Sequence, residues 1–182
     1  PAPAAPAANY IPYTVVGSTV FVAGQICIWN GEMTCVGRLG ENVSTEDGYQ
    51  AARICGLNLI AQVRAACGGD LDRVVSVAKL GGFVNCTADF TDHPEVINGA
   101  SDLMVEVFGE AGKHARFAVG APTLPRGVAV EVDEGWSARW LDGRFRLQQV
   151  RRGAGVSTRL PRCARGNVMV VRAVAVACRA HG

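Results

Sequence analysis

Two charged residues stand out in the segment HARFAVGAPTLPRGVAVEVD, residues 114 to 133. Arg116 lies in a β-run with apolar neighbours, and Glu131 lies in a second such run. Arginine supplies a fixed fork of N–H donors and glutamate a titratable carboxylate. A strand buried on both faces does not tolerate either charge unpaired. The spacing leaves three readings open: a structural Arg–Glu pair, side chains turned to solvent on alternate positions, or a site that uses both charges.

Little else in the chain offers chemistry. No Ser/His/Asp grouping is suggested by spacing, and three histidines (His93, His114, His181) are too few and too scattered for a metal site. Each of them reads as a surface residue. Gly81-Gly82 and Gly37-x-x-Gly40 are not phosphate loops, because no GKS or GxGxxG follows a strand. Seven cysteines occur without a CxxC or CxH pair. That pattern predicts reduced, mostly buried thiols of a cytosolic protein rather than disulfides or a metal cluster.

The elements that must position Arg116 and Glu131 can be read in order. Residues 12 to 24, PYTVVGSTVFVAG, hold two β-rich runs broken by Gly17-Ser18, a hairpin signal. Asn30-Gly31 marks a second turn and predicts a meander of about three strands. From Ser44 to Cys67 the period changes: Ser44 or Thr45 can cap a helix with Glu46 and Asp47 in its first turn. Ala52, Gly56, Leu59, Val63 and Ala66 form its apolar face, and Gly68-Gly69 stops it. Residues 73 to 85 read as a valine-rich strand with a bulge or bend at Gly81-Gly82. Pro94 opens a second helix that runs to about Gly109, with Val96, Ala100, Leu103 and Val107 inward. Two strands follow, over 115 to 121 and 128 to 132. The expected class is α+β, one mixed β-sheet with two helices on one face.

Charge divides the chain. Up to Asp133 there are 8 Lys and Arg against 14 Asp and Glu, a net of −6; from Glu134 onward, 10 Arg against 2 acids give +8. An acidic body argues against binding a phosphate backbone. The expected division is therefore a domain over 1–133 and an Arg-rich tail over 134–182. The tail reads either as an attached helix or strand or, as expected here, as out-of-frame sequence from a GC-rich gene. No apolar stretch approaches the ~18 residues that span a bilayer. PAPAAPAAN lacks the basic start and apolar run of a secretory signal and reads as an extended lead-in.

ARFAVGAPTLPRGVAVEVD resembles the C-terminal motif of the RidA/YjgF deaminases: an Arg on one strand, a Leu-Pro turn, then V-E-[IV]-[ED]. The resemblance extends through VFVAGQ, LGGFVN and DFTDHPEVINGASDLMVEVFGEAGKHAR, covering residues 9 to 133, and is nearest the longer branch of the family. It implies a chorismate-mutase-like fold and a cytoplasmic homotrimer with clefts between neighbouring subunits. It implies that Arg116 holds a substrate carboxylate through a two-pronged contact. It further implies that Glu131 positions or activates the attacking water, or shuttles its proton. Asn98 and Tyr13 match cleft-lining positions, and Phe83 and Phe90 are candidates for its apolar wall.

The implied reaction is hydrolysis of a reactive 2-imino acid or enamine to a 2-keto acid and ammonia, with no metal or organic cofactor. The alternative is a non-catalytic trimer that binds a carboxylated metabolite or a partner protein. Nucleic acid is not an expected partner, because an aromatic-basic stripe is missing. Two departures stand out. Ala118 occupies a position where the well-studied branch often has Cys, and the apolar pattern of the last strand breaks into EGWSARW.

Overall fold

The computed structural model describes residues 9–139. Strands β1 (Tyr13–Val16) and β2 (Thr19–Ile26) form the hairpin expected at Gly17-Ser18, with Val16 opposite Thr19. Gly17 adopts φ 60°, which glycine reaches without the Cβ clash of other residues. The Asn30-Gly31 turn does not extend this meander. It joins β3 (Ile28–Trp29) and β4 (Glu32–Met33) into a separate two-stranded ladder. The free edge of β2 is taken instead by the last strand.

Helix α1 (Thr45–Ala66) begins where Ser44 Oγ accepts a hydrogen bond from the Asp47 amide at 3.1 Å. It ends where Gly68 and Gly69 turn left-handed, their amides donating to the Ala65 and Arg64 carbonyls. Strand β5 (Val74–Asn85) follows, then α2 (His93–Phe108), β6 (Ala115–Ala121) and β7 (Val130–Ala138). The sheet order is β1-β2-β7-β5-β6, with β5 and β6 parallel and all other pairs antiparallel. Helix α1 packs over β2 and β7, and α2 over β5 and β6. The mixed sheet with two helices on one face is the expected α+β architecture.

Three local expectations differ. Gly81-Gly82 is not a bulge: the register slips lie earlier in β5, between Val74 and Ser76 and between Val77 and Lys79. A Cβ on Gly82 would lie 2.5 Å from Ile97 Cδ1, so this glycine lets α2 settle onto the sheet. Val107 is 47% exposed; Ile97 and Met104 join Val96, Ala100 and Leu103 in the core instead. Finally, the boundary expected after Asp133 falls inside β7. The strand continues because Val130, Val132, Glu134, Trp136 and Ala138 all occupy its helix-facing positions and are buried. One charged residue in that row masks the alternation. The rest of the Arg-rich tail, from 140, lies outside the described residues.

Cys27, Cys55, Cys67 and Cys86 are buried and Cys35 is half-buried, all as free thiols; Cys163 and Cys178 lie outside the described residues. Burial pushes the Cys35 thiol up to about 11, so it rests protonated at neutral pH.

Candidate functional site

Arg116 stands on β6, the last strand at one edge of the sheet. In the parallel ladder it faces Leu80 of β5, a core residue, so its side chain leaves on the helix side. There it meets α2. Nη1 donates to Asn98 Oδ1 at 2.8 Å and to Ser101 Oγ at 3.1 Å. An Nη carries two protons, so Nη1 is fully used. Among the described residues, no partner contacts Nε or Nη2. Those two nitrogens form one side of the guanidinium fork, and the residue is exposed.

Glu131 lies elsewhere. It faces Phe83 of β5 and Ile26 of β2, on positions that alternate with the buried row of β7. Its carboxyl therefore leaves from the sheet face opposite the helices, and the structural Arg116–Glu131 pair is excluded. The carboxyl rests against the backbone of Gly24, where a Cβ would come within 2.2 Å of Oε1. Burial, and then the neighbouring Asp133, raise its pKa above the ordinary glutamate value. Among the described residues, none hydrogen-bonds or ion-pairs with it. Such a carboxyl can take up and return a proton nearer neutral pH than a solvated one.

Tyr13 is on β1, at the opposite edge from Arg116. Four strand spacings of about 4.8 Å put roughly 19 Å between the two edges. Phe83 shares the Glu131 face and packs edge-on to Phe117, ring centroids 5.4 Å apart. Phe90 follows β5 and sets its ring edge-on to His93 at 5.4 Å. Thus the chain unites Arg116 with Asn98, and Glu131 with Phe83, but does not bring these pairs or Tyr13 together.

Two residues not expected at the site join it, Ser101 and His114, the latter read from sequence as a surface residue. Ser101, one helical turn after Asn98, and His114, two residues before Arg116, extend the Arg116 network through a 3.0 Å contact between Ser101 Oγ and His114 Nε2. His114 and His93 are half-buried and hydrogen-bonded rather than free surface residues; His93 Nε2 lies 3.4 Å from Cys86 Sγ. The i, i+3 spacing of Asn98 and Ser101 was the available signal, since it places both on one face of α2. Among the described residues, no group of three or more His, Cys, Asp and Glu is placed to hold a metal ion, and no helix is long and apolar enough to cross a membrane.

A cavity of about 310 Å³ between α1 and the loop after β4 is lined by Cys35, Asn42, Asp47 and Ile54 among others. It contains none of the predicted site residues. With Asp47 and no cation in its wall, it is poorly suited to a carboxylate.

Residues 1–134 match the family profile described as "YjgF/chorismate mutase-like, putative endoribonuclease". The chain belongs to this family. Protein TCP17 of Trypanosoma cruzi is 48% identical over 134 residues, covering 73% of this chain and 83% of that protein. The solved structure of Atu1372, a protein of unknown function from Agrobacterium tumefaciens, is 41% identical with a TM-score of 0.72, over 75% of this chain and 87% of that one. A "putative endoribonuclease" from Shewanella oneidensis is 37% identical with a TM-score of 0.73, over 75% and 90%. The chorismate-mutase-like fold expected from the HARFAVGAPTLPRGVAVEVD segment is the fold these YjgF relatives share, and the match ends inside β7.

Proposed function

We propose that the protein hydrolyses reactive 2-imino acids, or their enamine tautomers, to 2-keto acids and ammonia. The observation that carries this reading is the Arg116 corner. Asn98 and Ser101 use both protons of Nη1, and the Nε–Nη2 side of the fork is left to solvent in the geometry that receives a carboxylate two-pronged. A carboxylate seated there fixes the adjacent imine carbon. Water adds to that carbon of the protonated imine, giving one proton to the Glu131 carboxylate and forming the carbinolamine. Glu131 returns this proton to the nitrogen, the C–N bond breaks and ammonia leaves, and C=O forms as the hydroxyl proton passes to the carboxylate and on to solvent. Glu131, whose burial strengthens its hold on a proton, suits both the uptake and the return. The uncatalysed reaction already proceeds in water, so orientation of one carboxylate and one water supplies the modest acceleration needed. No metal or organic cofactor enters the scheme.

Arg116 and Glu131 leave opposite faces of the sheet, and Tyr13 stands at the far edge. The site we propose is therefore built between subunits of a homotrimer, Arg116 and Asn98 coming from one and Glu131 from another. The open sheet face, with Phe21 50% and Val119 42% exposed, supplies apolar surface for such packing. The free thiols suit a reducing cytoplasm.

The test is release of keto acid and ammonia from freshly generated 2-iminopropanoate, compared with the uncatalysed rate and with Arg116→Ala. Acceleration that disappears in the variant supports the deaminase; no acceleration by a folded wild-type oligomer contradicts it. A second reading, a non-catalytic trimer binding a carboxylated metabolite, is favoured by Ala118, which offers no thiol beside Arg116. In that case no acceleration is seen, Arg116→Ala abolishes carboxylate binding and Glu131→Ala leaves it unchanged. RNA cleavage is not proposed, because residues 1–133 carry a net charge of −6.

A further inference from the structure

Three groups behind Arg116 form a directed chain of hydrogen bonds. The Gly112 carbonyl lies 2.6 Å from His114 Nδ1. A carbonyl only accepts, so Nδ1 carries the proton, and in the neutral ring Nε2 is then an acceptor. The Ser101 hydroxyl donates to that Nε2 at 3.0 Å, which turns a lone pair of Oγ toward Arg116 Nη1 at 3.1 Å. The anchor of the chain is itself fixed. Gly112 is buried against the end of α2, and a Cβ there would sit 2.2 Å from the Met104 carbonyl oxygen.

We infer that Ser101 and His114 are positioning residues for the Arg116 guanidinium: they lock its rotation so that the Nε–Nη2 edge is presented ready-made to a ligand carboxylate. Asn98 alone holds one proton of Nη1 and leaves the plane free to swing about that bond. The second bond, to an Oγ whose own rotation is set by His114, fixes the plane. A guanidinium held this way loses less freedom when it binds, and preorganisation of that kind appears as affinity. The inference deepens the proposed function, since it rests on Arg116 being the carboxylate site.

The test uses the full chain, uniformly nitrogen-15 labelled, as wild type, Ser101→Ala, Ser101→Thr and His114→Ala. Rotation of the Arg116 Nη groups is read by NMR, and 2-oxobutanoate binding by calorimetry. Wild type gives resolved, slowly rotating Nη signals; Ser101→Ala and His114→Ala average them, and Ser101→Thr, which keeps the hydroxyl, restores them. Both losses weaken 2-oxobutanoate about ten-fold, the effect of one hydrogen bond to a charged group. They raise KM for the imino acid similarly, at unchanged kcat. A merely structural role would lower the melting temperature and leave KM alone. Unaltered rotation in Ser101→Ala overturns the inference whatever happens to activity. Slow rotation in wild type that is lost in Ser101→Ala, without any keto-acid binding by wild type, upholds the positioning and removes the functional reading instead.

Discussion

The Arg116 corner and the last residues of β7 treat polar groups in opposite ways. At Arg116 the charge is exposed at a sheet edge, yet Nη1, Ser101, His114 and the Gly112 carbonyl are each matched with a partner. At the end of β7 the Glu134 carboxyl is 3% exposed between Val22 and Leu80, and neither of its oxygens has a hydrogen-bond partner. Two residues on, the Trp136 ring is fully buried, edge-on to Phe108, and its Nε1 proton is also unmatched. Buried polar groups in native cores are nearly always satisfied. The corner meets that rule with its four matched groups. The strand end has the right alternation for its place in the sheet but leaves the polar atoms of Glu134 and Trp136 unmatched inside it.

The contrast can be broken most sharply at the functional charges. Arg116→Ala should lower kcat/KM for 2-iminopropanoate by about 10²-fold or more, the loss of a charge-assisted two-pronged contact. Because the side chain is exposed, its melting temperature should stay near wild type; a large loss of stability would make Arg116 a structural group. Glu131→Gln should lower kcat by about 10²-fold while 2-oxobutanoate still binds. Its pKa is raised, so the limb of the pH–rate profile that it governs should lie above the ordinary glutamate range and vanish in the variant.

At the strand end the sign reverses, and a substitution should help. Glu134→Leu should stabilise the fold by about 1–3 kcal/mol at neutral pH, by removing a buried unmatched carboxyl. Burial holds the Glu134 pKa well above 4.5, with Asp133 adding to the shift. Below the unfolded value both states are protonated and ionisation costs nothing. As pH rises past about 4.5 the unfolded chain ionises while the folded one keeps its proton, so wild-type stability falls. The advantage of Glu134→Leu should therefore grow from pH 4.5 upward, read by denaturant melts at several pH values; a constant difference would mean that Glu134 is ionised or solvated. The smallest effect belongs to Trp136→Phe, which keeps the ring contact and deletes the unmatched N–H. It should change stability by no more than about 1 kcal/mol.

Much of this architecture is written locally. Ser44, the acidic first turn and Gly68-Gly69 define α1 from both ends, and Gly17-Ser18 defines the hairpin. Pairing is not local. That Arg116 faces Leu80 and Glu131 faces Phe83, and so that they leave opposite faces, depends on where β6 and β7 register against β5; spacing within one strand carries no such information. The same limit hid the role of Gly82, whose reason is the approach of Ile97 from a helix 15 residues later. The Asn98–Ser101 spacing was legible, but its meaning required β6 to lie beside α2. Residues 134–138 kept their alternation, and one acidic residue at a core position concealed it.

The most direct measurement mixes two inactive variants. Arg116→Ala and Glu131→Ala are unfolded together in equal amounts, refolded, and assayed for keto-acid release from 2-iminopropanoate. If each site takes Arg116 from one subunit and Glu131 from another, random reassembly should restore about a quarter of wild-type activity. If both residues serve from the same subunit, or if Glu131 has no part in the chemistry, the mixture will show only what its parents show, and the account of a shared site fails.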